Sequence, residues 1–206
     1  MNGFKSTRSA GRSISAALDA MMTARNHHLE TSWIAASGKA ELYLRDRLGA
    51  TLAKQHPDLT ISREWNKHDL VVLDGAQRPL AIVEGKHFYD FDVLVPHLRG
   101  RYLKWLKEDK RKMKGSESPI QLISLSMTSL RGHVPTELRK VVKYSPGSNR
   151  QFKVRGESTM TDAVAEVPKF LSELGRVIHH RELSRGSAFG IPVHVLFWLV
   201  DVRATK

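Results

Sequence analysis

Asp69 opens one apolar run, Leu70-Val71-Val72-Leu73, and Glu84 and Lys86 close another that starts at Leu80, with the stretch Asp74 to Pro79 between them. Apolar strands do not ordinarily end in charge, because burying an unpartnered carboxylate or ammonium is costly. Two carboxylates and an ammonium at such positions suit a hard divalent cation and the stabilisation of charge developing on oxygen. In a strand, residues two apart share a face, so Leu80, Ile82, Glu84 and Lys86 point one way and Ala81, Val83 and Gly85 the other. If Leu73 pairs with Leu80, antiparallel register brings Asp69 opposite Glu84, and both carboxylates share that face. A slip of one residue separates them, so a shared face is a condition of the reading. Asp74 is a fallback ligand, but Asp-Gly after an apolar run reads first as a turn.

A third carboxylate comes from upstream. The spacing predicts a helix from Trp33 to Gln55 with Ile34, Leu44, Leu48 and Leu52 along its apolar stripe. Glu41 falls on that stripe, whereas Lys39, Arg45, Asp46 and Arg47 fit an exposed face or its border. A Glu turned toward a core needs a partner.

A helix carrying an acid, then Asp, then Glu-x-Lys on a hairpin, then a basic helix and another apolar strand, resembles the PD-(D/E)xK nuclease superfamily, which includes many restriction endonucleases, junction resolvases and repair nucleases. The resemblance covers about residues 30–130, with His68 standing where many members have Pro. It implies an α/β fold, a restriction-endonuclease-like mixed β-sheet flanked by helices on both sides. It also implies a DNA endonuclease that hydrolyses phosphodiester bonds with a carboxylate-bound Mg²⁺, for which Mn²⁺ substitutes, and a positioned water. Asp69, Glu84 and the Gly85 carbonyl would hold the ion, and Lys86 would orient the water. Glu41 would bind a second ion or a metal-bound water. A Lys between two carboxylates stays protonated unless strongly desolvated, which argues against Lys86 as a simple base.

Charge points to the same partner. Thirty-three Lys and Arg against twenty-one Asp and Glu give a formal net charge of +12, an electrostatic footprint suited to nucleic acid. One basic stretch, Arg99 to Lys114, contains Arg99, Arg101 and Lys104. Its apolar residues Leu98, Tyr102, Trp105, Leu106 and Met113 follow a helical stripe, so it reads as a helix packed on the sheet with a basic outer face. A second stretch carries Arg131, Arg139, Lys140, Lys143, Arg150, Lys153 and Arg155 against the single acid Glu137. Its Gly, Ser, Asn and Pro content around Ser145 to Arg150 predicts a mobile loop. Phosphate contacts from such residues position a duplex without reading its sequence.

The remaining elements must support that hairpin. Strands are expected at Leu59 to Trp65, Leu70 to Leu73, Leu80 to Lys86, Ile120 to Met127 and Val193 to Val200, with the basic helix making a parallel crossover. Val164, Val167, Phe170, Leu171, Leu174, Val177 and Ile178 predict a further helix, and the region Met127 to Arg155 and the segment Arg181 to Gly190 are expected to carry specificity. The pairs His27-His28 and His179-His180 lack the spacing of a helical zinc site and read as surface or helix-end residues, and Asp90 and Asp92 read as helix caps or solvated acids more readily than as the rim of the site. The chain divides into a basic N-terminal arm at 1–28, flexible at its start, and a single domain at 29–206 with a basic loop region at 128–160. No cysteine, no apolar leader and no long apolar segment are consistent with a cytoplasmic, non-membrane protein. A cut through both strands would need two active sites and hence a homodimer or sequential nicking. Two other readings stay open: a non-catalytic nucleic-acid-binding module on the same fold, and an RNA-directed nuclease.

Overall fold

The computed structural model describes residues 4–24 and 27–203. Their elements in chain order are α1 (Thr7–Met22), α2 (His27–Ser37), α3 (Glu41–Gln55), β1 (Thr60–Trp65), β2 (His68–Leu73), β3 (Pro79–Tyr89), α4 (Asp90–Leu94), α5 (Pro96–Lys114), β4 (Ile120–Leu130), α6 (Ser145–Arg155), α7 (Thr159–Leu171), β5 (Arg176–Ala188) and β6 (Ile191–Asp201). The strands form one sheet in the order β1-β2-β3-β4-β6-β5, in which β3 and β4 are parallel and every other pair is antiparallel. The chain crosses between the parallel pair through α4 and α5, as parallel neighbours require.

Period-two alternation divides the sheet between two cores. Leu70, Val72, Ala81 and Val83 pack with Ile14 and Leu18 of α1 and Leu44, Leu48 and Leu52 of α3. Val71, Leu73, Ile82 and Phe88 pack with Tyr102 and Leu106 of α5 and Val167 and Phe170 of α7. The molecule is therefore an α/β mixed sheet with helices on both faces. No helix among the described residues is long and apolar enough to cross a membrane.

Four expectations about the elements are corrected. The N-terminal stretch is not a loose arm over residues 7–22. Ser6 caps a helix there, and Ala10, Ile14, Ala17, Leu18 and Met21, at helical spacing, bury its inner face. The helix expected from Trp33 to Gln55 is broken between Ser37 and Glu41, so Glu41 becomes the first residue of α3 rather than an interior position. The stretch Ser145 to Arg150 is not a loop. It starts α6, with Tyr144 left-handed (φ 62°) before it and Phe91 packed so closely on Gly147 that a Cβ there would lie 2.9 Å from the ring.

The fourth correction concerns Val177 and Ile178, which belong to β5, an edge strand, and not to the preceding helix. The helix already ends at Leu171, and Gly175 stands where a Cβ would come within 2.1 Å of the Asp201 carbonyl oxygen. Arg181 to Ala188 is accordingly sheet, joined to β6 by a two-residue turn in which Phe189 (φ 55°) and Gly190 (φ 75°) both have positive φ. His179 and His180 lie in the same strand, His180 stacking on Trp198 at 4.7 Å. His27 is also not a surface residue, since its ring is buried with Nε2 against the Leu183 carbonyl at 3.0 Å.

Candidate active site

The hairpin forms with nearly the expected register. Leu70 pairs with Val83, Val71 with Ile82 and Val72 with Ala81, while an irregularity beside the turn pairs Leu73 with Pro79 instead of Leu80. The turn is held as expected by Asp74, whose Oδ1 accepts the N–H groups of Ala76 and Arg78 at 2.9 Å each. Continued by two residues, the ladder would pair Gly85 with His68. It stops at Leu70, and Asp69 takes its place. Its Oδ2 accepts the Gly85 N–H at 2.7 Å, so a carboxylate caps the free edge of β3 where a strand would otherwise pair. In a strand the C=O points to the same side as the N–H, which leaves the Gly85 carbonyl on that edge too.

This capping corrects the expected shared face. The Asp69 carboxylate turns along the strand edge toward α3, where Arg45 Nη1 lies 4.0 Å from Oδ1. Glu84 turns toward α5. Its carboxylate is 1 % exposed, and Oε1 accepts from His68 Nδ1 at 2.5 Å and pairs with Lys112 Nζ at 2.7 Å. The alternation that would align the two acids fails at Asp69, opposite which Glu64 of β1 has positive φ (57°) and no pairing. The expected set Asp69, Glu84 and Gly85 is therefore not gathered around one point. Among the described residues no three His, Asp or Glu side chains are disposed to hold a metal ion.

A different subset converges. A Cβ built on Gly85 would touch Glu41 Cγ at 3.6 Å, Asp69 Oδ2 at 3.7 Å and Ser124 Oγ at 3.7 Å. Beside this cradle lies a cavity of about 20 Å³ lined by Glu41, Asp69, Gly85 and Lys86, with Leu44, Leu48 and Val83 behind them. That is room for a water molecule or a small ion. Glu41 reaches the site because α3 starts there, and Lys86 because β3 runs on past the end of β2.

The electrostatics tie the other three expected residues to Asp69, whose charge acts on Glu41, Glu84 and Lys86 alike. Burial pushes the Glu41 carboxyl above its ordinary range, Lys86 pulls it down and Asp69 pushes it up again. Burial likewise raises Glu84 against the opposing pull of Lys112 and His68. Burial works against the Lys86 ammonium, but Asp109, Glu41 and Asp69 outweigh it and hold its pKa above the usual lysine value. Lys86 Nζ sits 2.8 Å from Asp109 Oδ2. It is thus a cation at neutral pH and acts as one.

The sequence reading missed His68, Asp109, Lys112 and Arg45. Asp109 and Lys112 stand three apart on α5 in the phase next to the buried Leu106 and Met113, so an acid interrupting a basic helix beside its apolar stripe was the available signal. His87 points to the face opposite Glu84 and Lys86, buried and bonded to Ser126 Oγ and Thr128 Oγ1, on the side where Glu41 bonds its backbone. Asp92 caps α4 by accepting the Tyr89 N–H, whereas Asp90 is not a cap but a buried acid held by Ser129 Oγ.

The basic residues divide by partner. Arg99 pairs with Glu166, Arg131 with Glu157 and Arg155 with Asp162, so these three are partly neutralised. Arg101, Lys104, Arg139, Lys140, Lys143, Arg150 and Lys153 make no ion pair within the described residues and remain available to an anion. Comparison with protein families, curated proteins and solved structures finds no match to this chain.

Proposed function

We propose that the protein is a metal-dependent nuclease of restriction-endonuclease-like type that hydrolyses phosphodiester bonds in DNA at the free edge of β3. The observation that carries the reading is the meeting of Glu41, Asp69 and the protonated Lys86 around the Gly85 cradle. The donor set fits a hard dication: the carboxylates of Glu41 and Asp69 and the Gly85 carbonyl would hold it, with water completing the shell. A bound Mg²⁺ supplies Lewis acidity toward the phosphate and a more acidic water.

The chain's own groups do the rest. The Lys86 ammonium, held by Asp109, orients the attacking water by donating a hydrogen bond and offsets charge that develops on the phosphoryl oxygens. Arg45 fixes Asp69 from behind. Glu84 joins the ligand set only when Lys112 gives up its carboxylate, since one buried acid does not serve both cations in the present arrangement. Arg101, Lys104, Lys140 and Lys143 hold the phosphate backbone.

A second reading, a nucleic-acid-binding module without catalysis, is favoured by the engagement of both Glu84 and Lys86 by α5. Digestion of plasmid, linear duplex, single-stranded and branched DNA, and of RNA, with Mg²⁺, Mn²⁺ or EDTA separates the two. Cleavage that needs the metal and is lost in Asp69→Asn and Lys86→Ala supports the enzyme. Retardation of DNA with no cleavage supports the module, and cleavage that survives in EDTA refutes the site.

A further inference from the structure

Trp105 does not bury in the way its helical stripe suggests. It is 37 % exposed on α5, whereas Tyr102 and Leu106 beside it are buried. It stands one turn, about 6 Å, before Asp109, the residue that holds Lys86, so the two residues share a side of α5. Arg101 lies over this ring at 5.4 Å, and the Tyr102 ring meets it edge-on at 5.1 Å.

A second exposed aromatic flanks the same end of the sheet. Tyr144 is 44 % exposed, held left-handed at the start of α6, and tilted over Tyr89 at 4.9 Å. Tyr89 lies three residues past Lys86 on β3, and its hydroxyl donates to the carbonyls of Ala35 and Gly38, next to Lys39. Lys39 closes the rim, because Nζ lies 5.8 Å from the Tyr102 ring and its charge acts on Glu41. A large aromatic in left-handed backbone, supported from below by a buried ring, is an arrangement whose local cost points to use.

We infer that Trp105 and Tyr144 are stacking positions for unpaired nucleobases, so that the strand presented to Lys86 is single-stranded or splayed at the scissile phosphate. The inference rests on nucleic acid as the partner and names its class. Every base has a π-face, so stacking binds unpaired nucleotides with little regard to sequence, while paired bases inside a duplex cannot offer that face. The cations Lys39 and Arg101, neither in an ion pair within the described residues, supply the charge that a backbone beside those rings would need. A protein partner would also seat on exposed rings, but two free cations at the edge of an acidic catalytic cluster fit a polyanion.

The test is equilibrium binding in EDTA, with no catalysis, by fluorescence anisotropy of labelled short oligo(dT), oligo(U), the same strand with abasic sites, and a duplex. Trp105→Ala and Tyr144→Ala should each weaken a base-containing strand about tenfold and leave duplex binding unchanged. Trp105→Phe should restore most of the loss, which a collapsed fold would not allow. The abasic strand should bind the native protein no better than the base-containing strand binds the variants. Equal binding of abasic and base-containing strands, equal losses on duplex, or no binding of any strand overturns the inference. Base-dependent binding without metal-dependent cleavage would sink the nuclease reading and leave Trp105 and Tyr144 as stacking positions, and cleavage with base-independent binding would do the reverse.

Discussion

Replacing Lys112 with Met tests the balance of charge around Glu84 most sharply. Glu84 is buried, and its carboxylate depends on Lys112 and His68. Removing one partner of a fully buried pair costs about 3–5 kcal/mol, but the Lys112 side chain is 37 % exposed, so solvent screening reduces the expected loss to about 1–2 kcal/mol. The loss must depend on pH. Burial already raises the Glu84 pKa in the folded protein, and without Lys112 it rises further. A carboxyl whose folded pKa stands above its unfolded value adds stability below the unfolded pKa and loses it as pH rises through the folded one. The deficit of Lys112→Met should therefore be smallest below about pH 4.3 and reach its full size near neutrality. Mg²⁺ should then restore what Lys112 provided, about 2.7 kcal/mol at a hundred times its dissociation constant, and should stabilise the native protein less. Urea denaturation followed by tryptophan fluorescence at pH 4 and pH 8, with and without Mg²⁺, reads all of this. A deficit no larger at pH 8 than at pH 4 refutes the electrostatic argument, and no rescue by Mg²⁺ in the variant refutes the link between Glu84 and a cation.

Burial raises the Asp90 carboxyl to about 6, against bonds from Ser129 Oγ and the Phe91 N–H. Its ionisation therefore opposes folding as pH rises through that value, and Asp90→Asn should be more stable by about 2–3 kcal/mol at pH 8 but not at pH 4 in paired thermal melts. Gly85→Ala meets its neighbours at 3.6–3.7 Å, ordinary contact distances, so it should melt like the native protein while filling the cradle and weakening Mg²⁺ binding by calorimetry. A large drop in melting temperature would show that the glycine serves packing instead. Lys143→Gln should weaken duplex binding and reduce the slope of log affinity against log salt by about 0.9, the value for one lost phosphate contact. An unchanged slope would remove Lys143 from the nucleic-acid surface.

Much of the sheet was legible in the sequence because its strands are apolar and strongly periodic. Leu70 to Leu73 and Leu80 to Val83 fixed the hairpin, and the helix at Pro96–Lys114 announced the parallel crossover to Ile120. β5 was not legible, because an edge strand with His179, His180, Arg181, Glu182, Ser184 and Arg185 carries little apolar alternation, while Val177 and Ile178 extend the helical phase of α7. At the site, pattern brought Glu41, Asp69, Glu84 and Lys86 to one end of the sheet. It failed on orientation. Alternation assumes a continuous ladder, and Asp69 lies where the ladder ends and a side chain replaces a strand. Nor could the pattern of one element disclose that Asp109 and Lys112 of α5 would reach across to Lys86 and Glu84, since such pairs are set by how helix and sheet dock.

The central claim is that the Gly85 cradle holds a divalent cation, and crystals soaked in Mn²⁺ test it directly through anomalous scattering. The account predicts a peak touching the Asp69 and Glu41 carboxylates and the Gly85 carbonyl, absent from Asp69→Asn crystals. A Mn²⁺ peak at other residues only, or none at concentrations that support cleavage, would contradict it.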